Sequence, residues 1–283
     1  MDTLLGFLVI GGVVYFFLTS GSSTKKKKIN TINASPASKR KTAHKYKSPS
    51  SLKSSSSRGE GWIPTYDGPM FSQPGEVGEL FSYASYSGTH SLDAPFALID
   101  FETSGFEAGK SKVLEVAVVK IDLNGKVLGS FSTLINPGDG EVGRTDIHHI
   151  SLSMVKNAPL MSEVICDLVR FIDSSVIVAH NAKFEERFLN AALLESGINL
   201  RGIPAIDTLW LSRQVIKLPN YKLATVIEGF GETIENAHTA MGDVLAMTKI
   251  LPPMLKMAKP IKYPSPLVKS PAVKTSGKLL PRA

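Results

Sequence analysis

Between residues 95 and 252, short apolar strands come first as a hairpin and then alternate with helices, an order that admits few folds. Pro95–Glu102 reads as a short buried strand. Lys112–Leu123 and Lys126–Asn136 read as a hairpin around Asn124-Gly125, a two-residue turn signal. Helical periodicity follows at 151–157 and 160–173. Ser175–His180 is a second buried strand, and Ala182–Ser196 is an amphipathic helix. A short strand at Pro204–Ile206 precedes helices at 208–216, 222–230 and 239–250, the last stopped by Pro252-Pro253. Three antiparallel strands followed by strand–helix alternation predict an α/β domain over 94–252, a mixed sheet flanked by helices.

The flanks differ in kind. Eleven Lys or Arg and no acid fall in 21–58, and seven with no acid in 253–283, which leaves 14 basic residues against 24 acids over 59–252. The overall charge of +7 therefore describes the tails, and the folded middle is acidic. Thr3–Thr24 carries no charged side chain, and Leu4–Leu18 is apolar apart from the Tyr15 hydroxyl. About 20 helical residues cross a ~30 Å hydrocarbon core. Residues 1–24 are therefore expected to be a single-pass transmembrane anchor. Lys25–Lys28 follow it, which places the rest of the chain on the cytoplasmic side and offers a site for anionic lipid. A cleaved signal peptide is the rival reading. It lacks support from a basic n-region or an Ala-x-Ala site.

Residues 25–58 are Ser- and Lys-rich with few large apolar groups, and are expected to be a disordered linker. Residues 59–93 hold Trp62, Tyr66, Phe71, Phe81, Tyr83 and Tyr86 among Gly, Ser and Pro. They fit either an irregular arm packed on the domain or a strip for a protein partner. A disordered Pro/Lys-rich tail is expected over 253–283. One cysteine, Cys166, excludes a disulfide framework or a cysteine zinc site within the chain. Its plain reading is a small buried hydrophobe.

Three segments carry candidate chemistry. Asp100 and Glu102 end the first strand two positions apart, hence on one face. Two such carboxylates repel unless a cation sits between them, and oxygen ligands suit Mg2+ or Mn2+. A solvated strand end is the bland alternative. The second segment is Val178–Leu189, where a strand ends at His180-Asn181 and a helix begins. Phe184 and Phe188, at i and i+4, are expected to face the core. Glu185 and Glu186 lie in the first turns, where acids also favour the helix dipole. The third is His238-Thr-Ala-Met-Gly-Asp243. A spacing of five is about 140° off on one helix. The two converge if His238 lies in the preceding loop and Asp243 in the early turns.

These segments resemble, in order, the Exo I, II and III motifs of the DEDDh exonuclease superfamily, which includes the epsilon proofreading subunit of bacterial DNA polymerase III. Asp100-Phe-Glu-Thr-Ser-Gly105 matches D-x-E-T-x-G, His180-Asn-Ala-Lys-Phe-Glu185 is similar to H-N-x-x-F-D, and His238 to Asp243 matches H-x(4)-D. The resemblance covers about 160 residues. It implies an RNase H-like fold and 3′→5′ exonuclease activity releasing nucleoside 5′-monophosphates. It also implies a two-ion site held by Asp100, Glu102, Glu185 and Asp243, with His238 as general base. Thr103, His180 and Asn181 would contact a single-stranded 3′ end of DNA or RNA.

Two positions depart from the pattern. Glu185 stands where the family has Asp, one methylene longer, which implies reduced activity, shifted metal preference or a helix set back to compensate. His149 stands where the family commonly has Gly. The competing readings are a module that grips 3′ ends without cutting, and an adaptor whose working parts are the flanks.

Overall fold

The structure is a computed structural model that describes residues 5–10, 13–18, 70–87, 95–138, 140–263 and 279–282. The chain divides into two units, Met1–Arg58 and Gly59–Ala283. In the first, β1 (Leu5–Ile10) and β2 (Val13–Leu18) pair antiparallel, from Leu5 opposite Leu18 to Ile10 opposite Val13. The sequence led us to expect one continuous helix here. The Val, Ile, Phe and Tyr of these two segments favour strands. Among the described residues, no helix is long and apolar enough to cross a membrane. The basic linker at 25–58 lies outside the described residues.

The second unit is built on a six-stranded sheet. Its strands in chain order are β3 (Phe81–Tyr83), β5 (Phe96–Thr103), β6 (Val113–Ile121), β7 (Val127–Leu134), β8 (Val176–Ala179) and β9 (Ile203–Asp207). Across the sheet the order is β3-β9-β8-β5-β6-β7. The central β6 runs antiparallel to both β5 and β7, while β8 runs parallel to β5 and β9 parallel to β8. This is the expected mixed α/β sheet, with one strand more than the sequence indicated. The extra strand, β3, comes from the 59–93 arm and pairs parallel with β9. The short β4 (Ser85–Tyr86) pairs with β10 (Ile261–Lys262). Where described, the arm therefore packs on the domain.

Helices cover both faces, which is why β5 opens as an unbroken apolar run. Ala97, Ile99 and Phe101 pack with α3 (Met161–Ile172) and α4 (Lys183–Glu195). Phe96 and Leu98 pack with α5 (Thr208–Val215), α6 (Leu223–Gly229) and α7 (Ala240–Met257). Two single-turn helices, Thr145–His148 and Leu152–Val155, are α1 and α2. Buried positions Val164, Ile165, Leu168, Val169 and Ile172 give α3 its helical stripe. Cys166 is buried there, as expected.

Two local expectations need correction. The β6–β7 connection is longer than two residues. The Asp122 carboxylate accepts from the amides of Asn124 (2.8 Å) and Lys126 (3.0 Å), and Gly125 adopts φ 84°. This side-chain turn outcompetes the tighter one. Further on, α7 does not stop at Pro252-Pro253 but continues to Met257. A proline inside a helix costs about 3 kcal/mol. Burying Met254 and Leu255 in the second core offsets this at about 1.5–3 kcal/mol each. The fold also continues past 252 through β10 and residues 279–282, so the described parts of the 253–283 tail are ordered against the domain.

Candidate active site

The β5 strand delivers its two acids to the face that α7 covers, since Asp100 and Glu102 continue the parity of Phe96 and Leu98. On α7, Asp243 lies in the first turn, and His238 sits in the loop before it. Thr239 caps the helix, its hydroxyl accepting from the Gly242 amide at 3.0 Å. The His238 amide donates to the Asp243 carboxylate. The 140° mismatch is therefore resolved as the sequence implied, by placing His238 outside the helix at φ 64°. Gly242 makes this possible. A Cβ there would lie 2.4 Å from the Asn236 carbonyl oxygen.

Asp100, Glu102 and Asp243 each bring a carboxylate oxygen within 4.8 Å of the others. They line one cleft of about 480 Å3, together with Glu185, His238, His180 and Asn181. All five residues expected to carry the chemistry thus face one space, within the ~300–1,000 Å3 range of ligand sites. Glu185 stands outside the tight triplet but is 3% exposed. Its Oε2 has no hydrogen-bond partner. Thr103 lines an adjoining cavity of about 200 Å3, with Arg144 and Phe184.

Burial and mutual repulsion push these carboxyls upward. Asp100 lies well above the carboxylate range, chiefly through desolvation and then the charges of Glu185 and Asp243. Glu102 is raised to about 7 by burial and the Asp243 charge, and Asp243 to about 6 by burial, with His238 pulling it down. Glu185 is raised well above its usual value by burial. Three converging oxygens, an unpartnered buried oxygen and carboxyls held above their usual range describe a site that a divalent cation fits.

His180 serves the scaffold. Its Nε2 faces the Tyr221 carbonyl at 2.8 Å, so Nε2 carries the proton, and Nδ1 then accepts from the Thr208 hydroxyl at 3.0 Å. Both ring nitrogens are spent inside the protein, and burial lowers its pKa. Asn181, at φ 68°, donates its amide to Asp207 at 3.0 Å, while its side-chain Oδ1 is unpartnered. Phe188 is buried as expected, and Phe184 packs against the same core, its ring 4.8 Å from that of Phe188, while also lining the cleft. The departure at His149 has a backbone cause. It closes α1 in the left-handed region at φ 57°, where glycine is at ease. Its ring lies 6.3 Å from that of His238.

Several residues escaped the sequence reading. Glu115, fully buried on β6, pairs in register with Glu102. A lone acid inside an apolar strand run was its signal. Asp207 caps α5 through the Leu209 amide at 2.9 Å and also accepts from the Ser72 hydroxyl. Glu186 lies in the first turn of α4 as read, but its role goes beyond the helix dipole. It is buried and accepts from the amides of Leu80 (3.0 Å) and Phe81 (2.9 Å) and from the Tyr83 hydroxyl (2.8 Å). The exposed rings of Phe71 and Phe106 line the cleft. Arg282, near the C-terminus, reaches Glu115 at 3.2 Å.

Known proteins agree with this geometry. An exonuclease family model of the RNase T type matches residues 97–251, more than half of the 283 residues. The epsilon subunit of DNA polymerase III from Treponema pallidum is 32% identical over 166 residues, covering 56% of this chain and 76% of that protein. A PolC-type DNA polymerase III from Clostridium perfringens is 34% identical over 163 residues, 57% of this chain. The matched segment is only 11% of that protein's length.

Among solved structures, the nuclease domain of 3′hExo, a DEDDh family member bound to rAMP, superposes with a TM-score of 0.54. Its identity is 15%, with 63% of this chain and all of that one covered. E. coli exonuclease I in complex with a dA16 oligonucleotide gives 0.53 at 16% identity, covering 58% of this chain and 41% of that one. These two likenesses concern the fold. The family match, spanning all three acidic motifs in order, shows that the chain belongs to the RNase T-type exonuclease family.

Proposed function

We propose that the chain hydrolyses single-stranded nucleic acid from its 3′ end with divalent metal ions, releasing nucleoside 5′-monophosphates. The observation that carries this reading is the convergence of Asp100, Glu102 and Asp243 within 4.8 Å, in a cleft shared with Glu185 and His238. Asp100, Glu102 and Asp243 would hold Mg2+ or Mn2+, with Glu185 supporting a second ion. Such ions, when bound, acidify water and neutralise charge on the scissile phosphate. His238 would accept the proton of the attacking water on its ring nitrogen. Thr103 and Asn181 would seat the terminal nucleotide beside the acids. The two ring bonds of His180 would keep the strand end and the Tyr221 loop in register.

The test uses the full chain with Mn2+ and Mg2+ on matched DNA and RNA strands labelled at either end. Wild type should release labelled 5′-monophosphate from the 3′-labelled strand first, and Asp100→Ala should lose at least about 100-fold in rate. Release from the 5′ end, or no release with either ion, sinks the reading. The position of Glu185 outside the triplet favours a second reading, in which the cleft holds 3′ ends without cutting. In the same experiment that reading predicts binding with no product.

The uncharged run Thr3–Thr24 ahead of Lys25–Lys28 supports a further element of the proposal, attachment to the cytoplasmic face of a membrane. Cell fractionation with and without residues 1–24 tests it. An unchanged soluble fraction counts against attachment.

A further inference from the structure

The loop that carries His238 is held from an unexpected direction. Residues 279–282 lie along β7, where the Leu134 amide donates to the Leu280 carbonyl at 2.8 Å. The Leu280 amide in turn donates to the Thr133 hydroxyl at 2.9 Å. This docking delivers the Arg282 guanidinium, 12% exposed, to the buried Glu115. Arg282 Nη1 donates to Glu115 Oε2 at 3.2 Å and to the His238 carbonyl at 3.4 Å. The same Glu115 oxygen accepts from the Ala240 amide at 3.3 Å. One guanidinium nitrogen and one carboxylate oxygen thus grip the peptide groups on either side of Thr239.

We propose that Arg282, through Glu115, is a positioning residue that sets His238 for catalysis. The inference rests on the exonuclease reading and adds to it a residue outside the 97–251 span of the family model. Two physical facts support it. A non-glycine residue at φ 64° is strained and persists only where its surroundings fix it. Glu115 is fully buried, and an unpaired carboxylate there would be strongly unfavourable. Arg282 meets both needs with one group, bonding the His238 carbonyl and Glu115 Oε2, while Glu115 Oε1 has no hydrogen-bond partner.

The full chain with Arg282→Ala or Arg282→Lys tests the clamp. Arg282→Ala should lower kcat about 10- to 100-fold with KM within about twofold, because a misplaced base slows the proton step without weakening the grip on substrate. Added guanidinium should restore kcat in Arg282→Ala and not in His238→Ala. Arg282→Lys should fall between, since lysine supplies the charge but not the planar fork. Equal or higher activity in Arg282→Ala overturns the proposal, the latter marking the tail as an inhibitor. Hydrogen exchange supplies a readout independent of turnover. Amides 236–243 should lose protection in Arg282→Ala, and unchanged protection there overturns the clamp even if the wild type proves inert as a nuclease.

Discussion

At the scale of single residues, the site is a set of charges waiting for a counter-charge. Replacing Asp100 by Asn removes a carboxyl that burial, and then the charges of Glu185 and Asp243, hold well above its usual range. Asp100→Asn is therefore expected to raise the melting temperature of the metal-free protein while abolishing hydrolysis. A lower melting temperature without metal would contradict that picture. The same shifts predict a pH dependence. Glu102 and Asp243 hold their protons more tightly folded than unfolded, at about 7 and about 6. Their contribution to stability is complete below the usual carboxylate range near pH 4 and is lost as pH rises through those values. Metal-free protein should melt at progressively lower temperature between pH 5 and pH 8. Saturating Mn2+ should stabilise more at pH 8, where its ligands are already deprotonated. Calorimetry with and without chelator reads both, and a flat metal-free profile would refute the assignment.

At the scale of elements, the arm is a working part of the sheet. Glu186 on α4 binds the amides that lead into β3, and Lys183 pairs with Glu76 at 2.5 Å. Gly78 passes so close that a Cβ would meet the Glu186 carboxylate at 2.1 Å. Glu186→Ala leaves two amides and the Tyr83 hydroxyl without their acceptor. It should destabilise the protein by about 3 kcal/mol or more and expose residues 70–87 to protease. Persistence of the arm's protection would mean that β3 pairing with β9 suffices alone. The same element carries Phe71 to the cleft, where the Arg213 guanidinium sits 5.9 Å from its ring.

At the scale of the whole molecule, every group of the candidate site lies within Gly59–Ala283, and eleven of the 32 basic residues lie in 21–58, within the other unit. An acidic domain attracts a phosphate polymer poorly over distance. Removing residues 1–58 should leave hydrolysis at low salt intact. It should also flatten the salt dependence of binding, by a slope of about 0.7 for each lysine or arginine that contacts a phosphate of a single strand. Affinity measured across a salt series decides it, and an unchanged slope would show that the linker does not touch the strand.

The sequence by itself determined most of the order of strands and helices from 96 to 250 and named the five side chains that the fold brings to one cleft, because hydrophobic period and motif spacing are recorded locally. Strand parity put Asp100 and Glu102 on one face, and the spacing of His238 and Asp243 required α7 to begin between them. What only the tertiary structure decided involves partners far apart in the chain. Glu186 reaches amides 105 and 106 positions away, and Arg282 lies 167 residues from Glu115. Core packing carries α7 through two prolines that local rules read as a stop. Hydrophobic period and turn chemistry report a residue's neighbours within a few positions. A buried charge is placed by whatever distant group the completed fold brings against it.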